Sequence, residues 1–527
     1  MTWLVPLPVV MPLLGAALNL ALIGRPTVQR TISIVVLVAT LAAAAMLLGL
    51  TAAEGPLVVA VGGWAAPLGI VLVADQLAGL MLVVSAAVTL SVLVYSIGQG
   101  IADGPDAAPV SVYHPTYLIL TAGVTNAFLA GDLFNLYVGF EILLAASYVL
   151  ITIGATEARI RDGTTYVVVS LLSSVVFLVG IGLVYAATGT LNMAQLADRI
   201  DALPDGLRLV LQSVLLLAFG IKAAVFPLSA WLPDSYPTAI APVTAVFAGL
   251  LTKVGIYAII RTETLLFPGD RGADVLMVAA LLTMLVGILG AVAQSDIKRL
   301  LSFTLVSHIG YMLFGIGLVS AAGLAGAIFY VVHHIVIQTT LFLTAGLIER
   351  HAGTTNLEQL GGLARLAPLL ALLFFIPALN LAGIPPFSGF LGKLGLLQAG
   401  VTKGGVLAWL LVAGGVLTSL LTLYAIARVW NLAFWRSGPA PEGAEPLSSE
   451  ADAPLASHVA AKAPLAGRVA TRPVLPPLMV ASTLALVVLG VGLTVVAGPL
   501  FDVSADSAMQ LLERQPYVRA VFPDGAP

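Results

Sequence analysis

The sequence predicts an all-α, polytopic membrane fold, and three observations predict it. Of 527 residues, 59% are hydrophobic and only 9% are charged, against roughly 45–50% and about 25% in a soluble domain. Apolar runs of about 20 residues, the length that crosses a bilayer as a helix, recur from end to end. No stretch between them suits a soluble catalytic domain. The net charge of -3 offers no basic excess for nucleic acid and too slight an acidic balance to imply a cationic partner. Cysteine is absent, which excludes disulfides, iron–sulfur clusters, thiolate zinc sites and a cysteine nucleophile.

Apolar runs between breakers place about fourteen spans. The first seven are 2–24, 31–53, 76–98, 115–130, 132–153, 164–187 and 208–231, the last interrupted by Pro227. Seven more lie near 241–260, 273–293, 299–319, 321–347, 367–399, 404–434 and 475–499, with 367–399 interrupted at Pro385 and Pro386. The splits at 130/132 and 319/321 rest on small residues between abutting runs. The first run has no basic residue ahead of it and no cleavage pattern after it, so it reads as a retained span. Leu57 to Val73 carries no charge and sets Gly62 and Gly63 between β-branched runs, which predicts a short outer β-hairpin. From Arg436 to Arg472 the chain turns rich in Pro, Ala, Gly, Ser and Glu, a composition expected to form a flexible cytoplasmic loop. With both termini outside, most loop Lys and Arg, from Arg25 and Arg30 to Arg468 and Arg472, fall on the cytoplasmic side.

The informative residues are ionisable groups inside apolar runs. Lys222, Lys253 and Lys393 each sit within one, and Glu141 lies about nine residues into the run that begins at Asp132. An unpaired charge at that depth costs at least several kcal/mol, so such groups usually serve function. Burial penalises the charged form, which makes these groups candidates for proton exchange near neutral pH. A lysine can instead snorkel to an interface, or lock to Glu141 as a static pair. Static pairing needs equal numbers of acids and bases, whereas three lysines here face one glutamate. That imbalance suits a proton relay.

Two helix breaks adjoin the lysines. Lys222 lies five residues before Pro227, and Lys393 follows Gly383-Ile384-Pro385-Pro386. Proline deletes a backbone donor and frees a carbonyl, and bare backbone at membrane depth is tolerated only beside protein or internal water. The segments Pro227 to Leu232 and Pro386 to Leu391 share Pro-x-Ser-x-aromatic-Leu, and paired interrupted spans point to a transporter built from repeats. His333 and His334 sit mid-run, and Gln338 shares a helical face with His334, four residues away. Histidine passes protons in either direction near physiological pH. Adjacent histidines point to different faces and no carboxylate lies within a turn, so no metal site and no cofactor is expected. His308 reads equally as a relay member or a packed polar residue.

The stretch Asp132-Leu133-Phe134-Asn135-Leu136-Tyr137-Val138-Gly139-Phe140-Glu141 resembles the glutamate helix of the proton-translocating family shared by respiratory complex I, membrane hydrogenases and Mrp-type cation/proton antiporters. Lys222 to Pro242, Gln294 to Ser302 (containing Lys298) and Gly383 to Lys393 resemble it too, over roughly residues 110–430. The Asp-Leu-Phe-Asn-Leu wording, the lysine at 393 and the chain length look most like the D subunits of Mrp antiporters. The resemblance implies fourteen helices with two inverted five-helix repeats, an outer hairpin, and membership of a hetero-oligomer with other Mrp subunits in a bacterial inner membrane. It divides the chain into 1–114 with hairpin 57–73, repeats at 115–260 and 273–434, the loop 436–472, and a C-terminal helix and tail at 473–527. It also implies roles: Glu141 with Lys222 as the input pair, Lys253 as the bridge, His333 and His334 as the central link, and Lys393 as the exit. Asp132, Pro227, Lys298, His308, Gln338 and Pro386 would support them. Many relatives carry a lysine where this chain has Gln338, so here the link would depend on histidine and water. The implied activity is exchange of Na+ for protons. A proton-pumping subunit of a complex I-like or hydrogenase assembly, and a structural scaffold, are the alternatives. No phosphate-binding glycine motif or nucleophile–base pair supports an enzyme.

Overall fold

The computed structural model describes residues 1–100, 110–154, 157–437, 475–523 and 525. The expected loop at 436–472 falls almost wholly outside the described residues. Among those described, 11 helices are long and apolar enough to cross a membrane. In lipid, a chain this apolar satisfies its backbone only by closing hydrogen bonds within helices.

In chain order the helices are α1 (Leu7–Ala21), α2 (Pro26–Glu54), α3 (Gln76–Gln99), α4 (Val110–Leu129), α5 (Leu133–Thr152), α6 (Glu157–Thr188), the short α7 (Met193–Asp201) and α8 (Asp205–Ala223). After a break and the single turn α9 (Leu232–Ser235) come α10 (Ala241–Leu266), α11 (Ala273–Val292), α12 (Ile297–Gly317) and α13 (Ala321–Ala352). The second broken span is α14 (Pro368–Ala382) plus α15 (Ser388–Lys403). It is followed by α16 (Val406–Trp435), α17 (Pro477–Val495), α18 (Ala497–Glu513) and α19 (Gln515–Val521). Each of the expected apolar runs is helical. Outside them the structure adds the short α7 and α9, a single turn at Leu363–Leu366, and α18 and α19.

Both doubtful splits have a cap. The Asp132 carboxylate accepts from the Asn135 backbone N–H and starts α5, and the Ser320 hydroxyl accepts from Gly323 and starts α13. Strands β1 (Leu57–Ala60) and β2 (Val71–Ala74) form the antiparallel hairpin, with Leu57 opposite Ala74. Gly62 and Gly63 adopt positive φ, and the connection extends to Ile70 rather than closing as a tight turn.

Asp132 faces Asn192 in an isolated antiparallel bridge, and Asp296 faces Asn356 in another. Asp296 caps α12 as Asp132 caps α5. Each asparagine follows a glycine at positive φ three residues earlier, Gly189 and Gly353. Between the two aspartates lie five crossings, α5, α6, α8, α10 and α11, so the second repeat enters from the opposite face. The repeats are inverted. Asp132 lies beside the hairpin, where the Gly131 N–H donates to the Val71 carbonyl. Asp296 lies at the far face, beside Asp234 and Glu349.

Burial sorts the spans. The apolar windows of α10 and α13 are wholly inside the protein and that of α12 nearly so, whereas only a third of those of α2, α16 and α17 is buried. The polar residues of interest therefore sit on the three central helices or point toward them.

Candidate functional site: a buried file of amines and imidazoles

The structure buries all three sequence-predicted lysines and gives each an uncharged partner. Helix α8 ends at Ala223 because Ala224 turns left-handed, with φ 57° and ψ 47°. Just before the turn, Lys222 donates from Nζ to the Ser174 hydroxyl of α6 at 3.1 Å. Its ammonium lies 4.9 Å from the centroid of the Phe140 ring. It lines a cavity of about 20 Å³ with Ser170, Ser173, Tyr166 and Trp231, room for about one water. Glu141 and Lys222 form no ion pair among the described residues. The buried Glu141 Oε1 has no hydrogen-bond partner among the described residues. The expected input pair is therefore a near neighbourhood rather than a contact.

Lys253 is fully buried on α10. The helix widens to π-type turns over Phe247–Leu251, and Lys253 Nζ donates to the Ala248 carbonyl at 2.6 Å. In the second break, α14 stops where Gly383 takes φ 84°. The last carbonyls of a helix lack internal partners, and here the Lys393 amine takes two of them, Leu381 at 3.0 Å and Ala382 at 3.1 Å. A lysine reaching back to a helix end matches the negative pole of the peptide dipoles. Its Nζ stands 5.2 Å from the Tyr311 ring centroid.

Between these amines lie the histidines. His333 Nδ1 pairs with the Ser388 hydroxyl at 3.0 Å, at the first turn of α15 after Pro386. His334 has neither ring nitrogen bonded, and its ring centroid lies 5.2 Å from that of His308. His308 is gathered into the same cluster: its Nδ1 pairs with the Tyr330 hydroxyl at 2.8 Å and its Nε2 with Thr422 at 3.4 Å. Gln338 donates to the Leu301 carbonyl at 2.8 Å and leaves its own oxygen unbonded, so no direct bond joins it to His334.

The supporting residues divide. Pro227 and Pro386 stand at the two breaks. Lys298 is at the far face, in an ion pair with Glu349 at 2.6 Å, outside the central cluster. Asp132 is a cap whose second oxygen has no partner. Sequence reasoning missed Ser174, Ser388, Tyr330 and Thr422, the hydroxyls that hold the amine and the imidazoles.

Residues 130–422 match a family profile described as NADH:quinone oxidoreductase/Mrp antiporter, transmembrane. The chain belongs to this family. Among its relatives, the D subunit of the Na(+)/H(+) antiporter of Alkalihalophilus pseudofirmus is 41% identical over 435 residues, covering 82% of this chain and 87% of that one. The D subunit of the Bacillus subtilis Na(+)/H(+) antiporter is 39% identical over 432 residues, 81% and 86% of the two chains. A chain of the solved Mrp complex from Dietzia sp. is 35% identical with a TM-score of 0.87, covering 99% of this chain and 100% of its own. The archaeal membrane-bound sulfane sulfur reductase, at 24% identity and TM-score 0.84, shares the fold.

Proposed function

We propose that this chain is the proton-translocating subunit of a multi-subunit Na+/H+ antiporter, assembled with other Mrp subunits in a bacterial cell membrane. The observation that carries this reading is that Lys222, Lys253 and Lys393 are all buried, each bonded only to hydroxyl or carbonyl oxygen. A buried amine without a carboxylate is costly as a fixed charge. It is useful as a group that gains and loses a proton. The order Glu141, Lys222, Lys253, the His308/His333/His334 cluster and Lys393 forms the relay, with water bridging the gaps. Both termini lie outside the cell in this reading, and the chain works as a transporter rather than an enzyme.

Coupling along the file is electrostatic. Two unit charges about 7 Å apart at an effective dielectric near 20 interact by roughly 2 kcal/mol, enough to shift a proton equilibrium more than tenfold. Protonation of Glu141 thus alters the proton affinity of Lys222, and the change passes inward. Proton flow through this chain would drive export of Na+ elsewhere in the assembly.

Glu141→Ala and Lys222→Ala should each abolish Na+-dependent proton flux in vesicles holding the reconstituted assembly, while the partners still co-purify. Full flux in either variant would overturn the mechanism. A subunit of a redox-driven pump would instead show flux that follows electron donors and ignores Na+. In a mere scaffold, Lys253→Met would lower stability and leave flux per assembled complex intact.

A further inference from the structure

A charged vestibule and the Lys222 cavity meet at one residue. The vestibule, about 650 Å³, opens at the far face between the repeats and is lined by Arg161, Asp234, Asp296, Lys298, Arg299 and Glu349 among others. Of all residues lining it, only Trp231 also lines the small cavity that holds Lys222. Trp231 is the residue the two share. It is buried, and it packs edge-on against Tyr236 with centroids 5.7 Å apart and tilted against Tyr166 at 5.6 Å. It is also tied down: Trp231 Nε1 donates to the Ile221 carbonyl at 3.2 Å. Ile221 precedes Lys222 at the broken end of α8, and its carbonyl also accepts from the Ala224 N–H at 3.2 Å, so the indole takes the second lone pair of that oxygen. The bond places the indole against the amine-bearing turn.

We infer that Trp231 is a gate between the vestibule and the Lys222 cavity, latched shut by its hydrogen bond to the Ile221 carbonyl. The inference rests on the relay reading of Lys222 and adds the residue that controls which face that amine meets. A cavity with room for about one water admits a proton carrier only when its wall moves. An indole needs only a rotamer change and one neutral hydrogen bond broken to do so. Such a latch opens readily. The second repeat lacks it: in the matching Pro-x-Ser-x-aromatic-Leu segment the aromatic is Phe390, which has no N–H to donate. The gate is a property of the first repeat alone.

The absence of cysteine makes the test direct. Ser170, a cavity-lining residue of α6, is replaced by cysteine in the intact assembly whose partners carry no reactive thiol. Vesicles are pulsed with Ag+, a probe of nearly water size, on the vestibule face, and the surviving thiol is counted with maleimide after denaturation. Trp231→Ala should speed Ag+ reaction at least tenfold over Ser170→Cys alone. Trp231→Phe keeps the ring and loses the donor, and should speed it severalfold. Reaction at the parent rate in either variant overturns the gate. Accessibility is read without any transport, so a failed gate leaves Lys222→Ala free to test the relay, and a failed relay leaves the gate measurable.

Discussion

At the scale of single residues, the Gly383 turn and Lys393 form one device. A Cβ on Gly383 would stand 3.0 Å from Lys393 Cδ and 3.2 Å from Nζ, at φ 84° where side chains are rarely tolerated. Gly383→Ala should therefore cost about 1 kcal/mol of stability and push the amine off the Leu381 and Ala382 carbonyls. The expected outcome is a thermal midpoint lower by a few degrees and a much larger loss of Na+-dependent proton flux. Equal, small losses of both would mean that the amine's position is unimportant. Ser388→Ala removes the single partner of His333 Nδ1. Under the proposed relay, flux should fall severalfold in assembled complexes, because the imidazole loses the bond that fixes its rotation; wild-type flux would remove Ser388 from the proposal. The titratable residues were legible in the sequence because a charge in an apolar run is conspicuous. Their hydroxyl partners were not. Serine and threonine are common in apolar helices and often bond their own preceding turn, as Thr340 and Thr344 do. Only helix rotation reveals that Ser174 and Ser388 do otherwise.

Among the elements, the same split between legible and illegible recurs. The two broken spans could be read from Pro227 and Pro386 because proline and glycine punctuate a chain by rules local in sequence. The Asp132/Asn192 and Asp296/Asn356 bridges could not, since they join segments a whole helix pair apart by backbone bonds that leave little trace in composition. These caps differ in one respect. At Asp296 the second carboxylate oxygen accepts from the Thr355 hydroxyl, whereas the equivalent residue beside Asp132 is Leu191 and the oxygen goes unbonded. Asp296→Ala should thus lose a cap, worth about 1 kcal/mol, together with the tie between the start of α12 and the chain beyond α13. Asp296→Asn should restore most of it. Thermal unfolding of the purified assembly distinguishes the two, and identical midpoints for alanine and asparagine would show that the cap contributes nothing there.

For the whole molecule, the C-terminal segment is part of the packed body rather than the tail its polarity suggests. Helix α18 packs along the central α13, and α19 brings Tyr517 over the buried Arg261 guanidinium, 5.2 Å from carbon to ring centroid. Arg261 pairs with Asp75 at 2.6 Å and donates to the Tyr257 hydroxyl at 3.0 Å. Asp75 in turn caps α3 through the Ala78 N–H, and Tyr257 donates to the Phe128 carbonyl of α4. One guanidinium thus holds α3, α4, α10 and α19 together at the hairpin face. Removing one partner strands the other as a buried charge, which typically costs 3–5 kcal/mol, while replacing both with apolar groups of similar size is often neutral. Arg261→Met and Asp75→Leu should each lower the midpoint sharply, and the double variant should recover part of the loss even though α3 has then lost its cap. Full additivity of the two single losses would mean that the residues act apart. Recovery would establish that Arg261 and Asp75 act as one unit in locking the hairpin face.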